Sequence, residues 1–305
     1  MRPGAARRTL ASSHDPWSDP IPRDLFTMVA ATLGDRYSVE RELARGGAAR
    51  IFSARDKDGR LVALKILHPE LLPSLTAKRF LREIDVLTKL DHPHIAPLLD
   101  YGESEWILYF VMPFVDGPTL RQHLDTVGRL PLRDALSVAD EVLDALGYAH
   151  GKGIVHRDVK PENVVLSSKA GVMLVDFGIA RAIAASETDR VTRSGFTVGT
   201  TTYMSPEQAS GRKDLDHRSD IYAVGCMLFE CLAGRPPFQS AVDAVMLELH
   251  QRGMPPDLHA IAPRVPKPLS RVVAKALEKN PEDRWNDAAA MRTALREAVE
   301  DAELD

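Results

Sequence analysis

Asp158, Lys160 and Asn163 stand within six positions of one another, in the run Ile154-Val155-His156-Arg157-Asp158-Val159-Lys160-Pro161-Glu162-Asn163. Asp176 follows in Asp176-Phe177-Gly178. Moving a phosphoryl group from a nucleotide to a hydroxyl needs such a set. One carboxylate places the attacking hydroxyl and one ammonium offsets the charge of the moving group. An amide and a second carboxylate offer hard oxygen ligands to a divalent ion. A single three-residue pattern is weak in a chain of 305 residues, but several in a fixed order outweigh chance.

The flanking sequence predicts the elements that must hold these residues. From Tyr37 to about Tyr109 the pattern is strand-like with one helix. Arg50–Ala54 and Leu61–Leu67 flank the turn Asp58-Gly59, a hairpin signal. Thr76–Leu90 has helical spacing, and Ile107–Met112 is an apolar, strand-prone run. After Asp116-Gly117 helices dominate. Leu132–His150 carries one apolar face, Ser219–Leu232 is apolar nearly all round, and Val242–Gln251, Leu269–Glu278 and Asp287–Glu303 follow, the last capped by Asn286 or Asp287. Leu25–Leu33 reads either as a short helix packed on the first lobe or as the end of a tail. The expectation is an α+β, two-lobed fold: a disordered tail over 1–24, a nucleotide-binding lobe over 25–115, and a helical lobe over 116–305, with a ligand in the cleft between the lobes.

Composition narrows the classes. With 44% apolar residues the chain can bury substantial cores, and a net charge of −4 gives no field favouring nucleic acid. The two cysteines, Cys226 and Cys231, lie five apart in a helical run, poor geometry for a disulfide, and read as core residues of a reducing, cytoplasmic compartment. No run of 18 apolar residues exists to span a bilayer, and the first 24 residues lack the apolar stretch of a secretory signal.

The paired motifs around Asp158 and Asp176 resemble the catalytic and metal loops of the protein kinases. Lys160, Gly153–Asp158 and Tyr203-Met204-Ser205-Pro206-Glu207-Gln208-Ala209 are similar to the eukaryotic-like serine/threonine kinases of bacteria, from about Tyr37 to Leu295. The resemblance implies ATP with Mg2+ (or Mn2+ in its place), two metal ions, and protein substrates bearing serine or threonine. It assigns hydroxyl positioning to Asp158, the γ-phosphate to Lys160, and metal to Asn163 and Asp176. In Val62-Ala63-Leu64-Lys65, Lys65 matches the lysine that reaches the α- and β-phosphates, with Glu83 as its carboxylate partner. Leu87 would pack toward Phe177 and His156.

The same resemblance places adenine between Ile51, Ala63 and Val165, with Met112 at the back, Leu43 among the nucleotide-binding residues, and a hinge of Pro113, Phe114 and Val115 whose Val115 N–H stays free to bond. Asp116 is either a ribose contact or a turn residue. The phosphate-covering loop departs from the family's G-x-G-x-x-G: it reads Ala44-Arg45-Gly46-Gly47-Ala48-Ala49. Glycine lets a backbone approach phosphate closely, so Ala44→Gly is expected to lower the KM for ATP.

Residues 176–207 resemble an activation loop. Thr192 and Ser194 match sites of autophosphorylation, which implies self-association, and Arg157 is a ready partner for a phosphate added there. Glu207 and Arg284 match a buried ion pair, and Asp220 an acid that steadies the catalytic loop. A nucleotide-binding pseudokinase scaffold is the alternative, favoured only by the altered glycine loop.

Overall fold

The computed structural model describes residues 25–46, 49–67, 87–104, 107–177 and 201–303. The chain enters through α1 (Leu25–Leu33), the helical one of the two expectations for this segment. Leu25, Val29 and Leu33 recur every four residues, and that stripe is buried. Five antiparallel strands follow: β1 (Ser38–Arg45), β2 (Ala49–Arg55), β3 (Leu61–Leu67), β4 (Asp100–Ser104) and β5 (Ile107–Pro113), ordered β1-β2-β3-β5-β4. The β2–β3 hairpin turns at Gly59, whose φ of 77° suits a residue without a side chain.

Strand alternation divides this sheet into two working faces. Phe52, Ala54, Val62, Leu64, Ile66, Ile107, Tyr109 and Val111 share one core with α1 and Tyr37. The pairs Ile51–Lys65, Lys65–Phe110 and Ala63–Met112 therefore lie on the opposite face. Arg36 and Tyr37 fasten the chain between α1 and β1 to the far edge, each bonded to the Asp100 carboxylate at 2.5 Å. Of the helix expected at Thr76–Leu90, only the end lies within the described residues, where Leu87–Lys89 form a 3-10 turn.

The second lobe is helical. It holds α2 (Leu120–Val127), α3 (Leu132–Gly151), α4 (Pro206–Ala209), α5 (Arg218–Ala233), α6 (Asp243–Arg252), α7 (Leu258–Ile261), α8 (Lys267–Ala276) and α9 (Ala288–Glu303). A small hairpin, β6 (Val164–Ser167) with β7 (Gly171–Leu174), sits between α3 and α4 in the chain. Helix α5 is buried from Ser219 to Leu232 and forms the centre of this core. Gly225 lets α8 approach closely, since a Cβ there would meet the Ala276 Cβ at 2.9 Å. Asp287 is the cap of α9, its Oδ1 accepting from Ala290 N at 2.7 Å. Helix α8 starts two residues before the expected Leu269, with prolines at its first positions, where a missing N–H costs nothing. The two-lobed α+β fold is the one expected.

Candidate active site

Strand β3 delivers Lys65 to the sheet face away from α1, where the residue is only 8% exposed. A buried ammonium requires a counter-charge. It has one in Asp176, whose Oδ1 accepts a hydrogen bond from the Lys65 amine. Asp176 lies two residues beyond β7, so this contact closes the sheet over the β6–β7 hairpin.

Asp158, Lys160 and Asn163 form a second set of contacts. Lys160 Nζ donates to Asp158 Oδ2 at 2.8 Å. Asn163 Nδ2 donates to the Asp158 carbonyl at 2.8 Å and to its Oδ2 at 3.1 Å. One carboxylate oxygen thus receives both an ammonium and an amide. Val175 N donates to the Asn163 carbonyl at 2.9 Å, which ties the loop to the residue preceding Asp176.

Backbone strain marks the site. Arg157 (φ 65°) and Asp176 (φ 67°) are the non-glycine residues with left-handed backbone among those described. Such conformations cost energy and persist where surroundings impose them. At Arg157 the surroundings are Asp220 at the start of α5, which accepts from His156 N at 2.8 Å and Arg157 N at 2.7 Å. His150 Nε2 meets the same carboxylate at 2.8 Å. At Asp176 they include fully buried His156, whose Nε2 meets the Val175 carbonyl at 3.2 Å and whose Nδ1 accepts from Asp158 N at 3.2 Å. Burial holds the His156 pKa below the usual imidazole value, matching a neutral ring that packs and bonds. Its ring stacks 4.5 Å from that of Phe177, and Leu87 packs against the same core.

The donor chemistry fits a divalent ion. Nδ2 donation to Asp158 turns the Asn163 amide oxygen the other way, and the Asp176 carboxylate belongs to the residue after Val175, whose N–H bonds the Asn163 carbonyl. Both are hard oxygen donors, the kind Mg2+ and Mn2+ take.

The remaining anticipated residues, where described, lie on or next to the strands of the two sheets. Ile51, Ala63 and Met112 share the Lys65 face and are half-buried. Val165 is buried in β6, paired with Met173 and bridged to Thr119. Pro113 ends β5 opposite Val62, with half-buried Val115 two residues on. Asp116 is exposed. Leu43 sits at a register shift of β1, and Gly46 N closes a turn onto the Ala49 carbonyl at 2.9 Å. Gly47, Glu83, Thr192 and Ser194 lie outside the described residues.

Below the site, Arg284 grips Glu207 with two bonds, Nη1 to Oε1 at 2.8 Å and Nη2 to Oε2 at 2.7 Å. Arg284 is 2% exposed, and its remaining N–H groups reach the carbonyls of Arg218, Glu278 and Lys279. Burial opposes the Glu207 charge, but the guanidinium still holds its pKa below the carboxylate norm. A second cluster was not anticipated. Glu230, on the otherwise apolar α5, takes Arg121 Nη1 at 2.7 Å and the Tyr203 hydroxyl. Burial, with Glu230 beside it, pushes the Tyr203 pKa well up. The available signal was a carboxylate inside an apolar helix, which demands a partner.

Comparison with known proteins shows the family. The family model described as protein kinase domain matches residues 37–296. The serine/threonine-protein kinase PknB of Mycobacterium leprae is 42% identical over 272 residues, covering 86% of this chain and 43% of that protein. PknD of Mycobacterium tuberculosis is 37% identical over 283 residues, covering 92% and 42%. This chain thus spans less than half the length of these relatives. The crystal structure of Rad53 in complex with AMP-PNP has a TM-score of 0.71 at 24% identity, covering 86% of this chain and 66% of that one, and so shares the fold. The chain belongs to the protein kinase family, as a bacterial-type serine/threonine kinase domain.

Proposed function

We propose that this chain transfers the γ-phosphoryl group of ATP to serine and threonine hydroxyls of proteins, its own among them. One observation carries the reading: Lys160 and Asn163 meet on the Asp158 carboxylate while Lys65 meets Asp176. Residues 25–115 hold the nucleotide and 116–305 carry the transfer machinery. Adenine packs on Leu43, Ile51, Ala63, Met112 and Val165, with Pro113 and Val115 at the hinge and Gly46 and Gly47 over the phosphates. Lys65, braced by Glu83, holds the α- and β-phosphates.

Asp158 orients the substrate hydroxyl and accepts its hydrogen bond. A carboxylate is a weak base, so placement matters more than proton removal. Lys160, already beside that carboxylate, faces the γ-phosphate. Asn163 and Asp176 would hold Mg2+, or Mn2+ in its place, which would supply positive charge against that of the phosphates. Thr192 and Ser194 receive phosphate when two copies meet, and Arg157 pairs with it. The protein works in the cytoplasm. Cys226 and Cys231 are buried free thiols, which suits a reducing compartment, and among the described residues no helix is long and apolar enough to cross a membrane.

The test is labelled ATP with the chain alone, with a general protein substrate, and with Asp158→Asn. Phosphoserine or phosphothreonine formed by the unmutated chain and lost in the variant supports the reading. Nucleotide binding without transfer overturns it.

A further inference from the structure

Helix α6 is fastened at both ends to the segment 201–209. At its start Asp243 Oδ1 accepts from Thr201 Oγ1 at 3.2 Å, and at its end Gln251 Nε2 donates to the Ala209 carbonyl at 2.9 Å. Between them His250 is fully buried, with Nδ1 2.9 Å from the Tyr222 hydroxyl of α5 and its ring edge-on to Phe238. The backbone of Thr201 and Thr202 also lies beside this ring. Lys279 completes the arrangement. Its amine donates to the last carbonyls of α6, His250 O at 2.8 Å and Leu249 O at 3.3 Å. It also lies over the rings of Phe238 at 4.5 Å and Tyr222 at 5.7 Å.

An ammonium at a helix C-terminus satisfies orphan carbonyls and offsets the negative end of the helix dipole. This one carries a load that surface lysines do not, because it is enclosed by aromatic rings. The Lys279 carbonyl accepts from Arg284 Nη2 at 3.1 Å, so the residue that holds α6 is joined to the Arg284–Glu207 pair anchoring α4. The turn at 201–203 and helix α4 are thus held from two directions by one short stretch of chain.

We propose that Lys279 and His250 are positioning residues for the protein substrate. They lock α6 against residues 201–209, which Gln208 ties to the residue before Asp158 by donating from Nε2 to the Arg157 carbonyl at 2.9 Å, and so shape the surface beside Asp158 that meets the substrate peptide. The inference rests on the kinase reading above. Neither residue is among those given the nucleotide above, so their removal acts on peptide binding and leaves nucleotide binding alone. A residue serving only general stability would instead change both together or neither.

The experiment measures peptide KM, ATP KM and amide exchange in the unmutated chain, Lys279→Met, Lys279→Arg and Tyr222→Phe. Lys279→Met keeps the length and removes the charge. Tyr222→Phe removes only the hydroxyl beside His250, and reports even if Lys279→Met does not fold. Expected are a peptide KM raised about tenfold in Lys279→Met, an unchanged ATP KM, faster exchange confined to 201–209 and α6, and recovery in Lys279→Arg. A smaller shift of the same kind is expected in Tyr222→Phe. Unchanged peptide KM and unchanged exchange at 201–209 in the folded variants overturn the inference. If the unmutated chain transfers no phosphate, the kinase reading fails, and the exchange measurement still decides whether α6 is locked by these residues.

Discussion

The Lys65 amine and the Asp176 carboxylate form an ion pair across 111 positions of sequence. One belongs to a central strand of the five-stranded sheet and the other to the turn after the β6–β7 hairpin. Their contact puts the buried strand lysine and the acid beyond the hairpin at one place. A ligand engaging Lys65 through phosphate and Asp176 through metal would compete with this contact. Lys65→Met is therefore expected to lower kcat/KM for ATP by about a hundredfold or more, a scale typical of a lost charge-stabilising group. Steady-state kinetics at varied ATP check this.

Asp158 receives hydrogen bonds from both Lys160 and Asn163. Asp158→Asn keeps the shape and removes the charge. It should lower kcat by about 10²–10⁴ while leaving ATP binding within a few-fold. Calorimetric titration with ATP alongside the transfer assay separates the two effects.

The Arg284–Glu207 pair is buried and bidentate. Arg284→Ala leaves a carboxylate buried without its partner, which costs about 3–5 kcal/mol of stability. Urea unfolding of the variant measures it. A loss below about 1 kcal/mol contradicts the assignment.

Burial, aided by the nearby Lys279 charge, pushes His250 down to about 4 from an ordinary 6.5. The unfolded chain therefore binds a proton below pH 6.5 that the folded chain refuses. Stability is lost as pH falls from 6.5 toward 4, by on the order of 3 kcal/mol for this residue, and its contribution is flat below that. Burial lowers the His156 pKa too, adding loss in the same direction. Unfolding midpoints from pH 7 to 4 should fall less steeply in His250→Gln than in the unmutated chain. Parallel curves contradict the prediction.

Helix α1 precedes the residues matched by the family model, which begin at 37. It nevertheless buries Leu25, Val29 and Leu33 against the outer sheet face and sets Phe26 6.2 Å from Phe52. Each buried aliphatic contributes about 1.5–3 kcal/mol. A chain begun at residue 37 should melt several degrees lower than the full chain, with Lys65-bearing β3 exchanging its amides faster. Equal melting points contradict an integral role for α1.

The meeting of Asp158 with Lys160 and Asn163 was legible in the sequence. Asp158, Lys160, Asn163 and Asp176 stand in short fixed spacings, and Lys65 is the one charge inside an apolar strand. The hairpin at Gly59 and helix α5 were legible because their patterns are strong. Strand β4 was not. Asp100–Ser104 is polar, and its pairing comes from lying along β5 at a sheet edge. The β6–β7 hairpin was missed since its four-residue strands are too short to show alternation. The fate of α1 was open because nine residues make a helix only when a surface receives them. Arg121, Tyr203 and Glu230, like Lys279 and His250, meet only through the tertiary fold, and no spacing announces them.

The central claim is that the side chains of Lys65, Asp158, Asn163 and Asp176 surround one metal-bound nucleotide. A crystal structure with Mg2+ and a non-hydrolysable ATP analogue tests it most directly. The account predicts Mg2+ at about 2.0–2.1 Å from oxygens of Asn163 and Asp176, with the Lys65 amine turned from Asp176 onto the α- and β-phosphates. A nucleotide seated elsewhere, or a metal bound without Asp176, would contradict it.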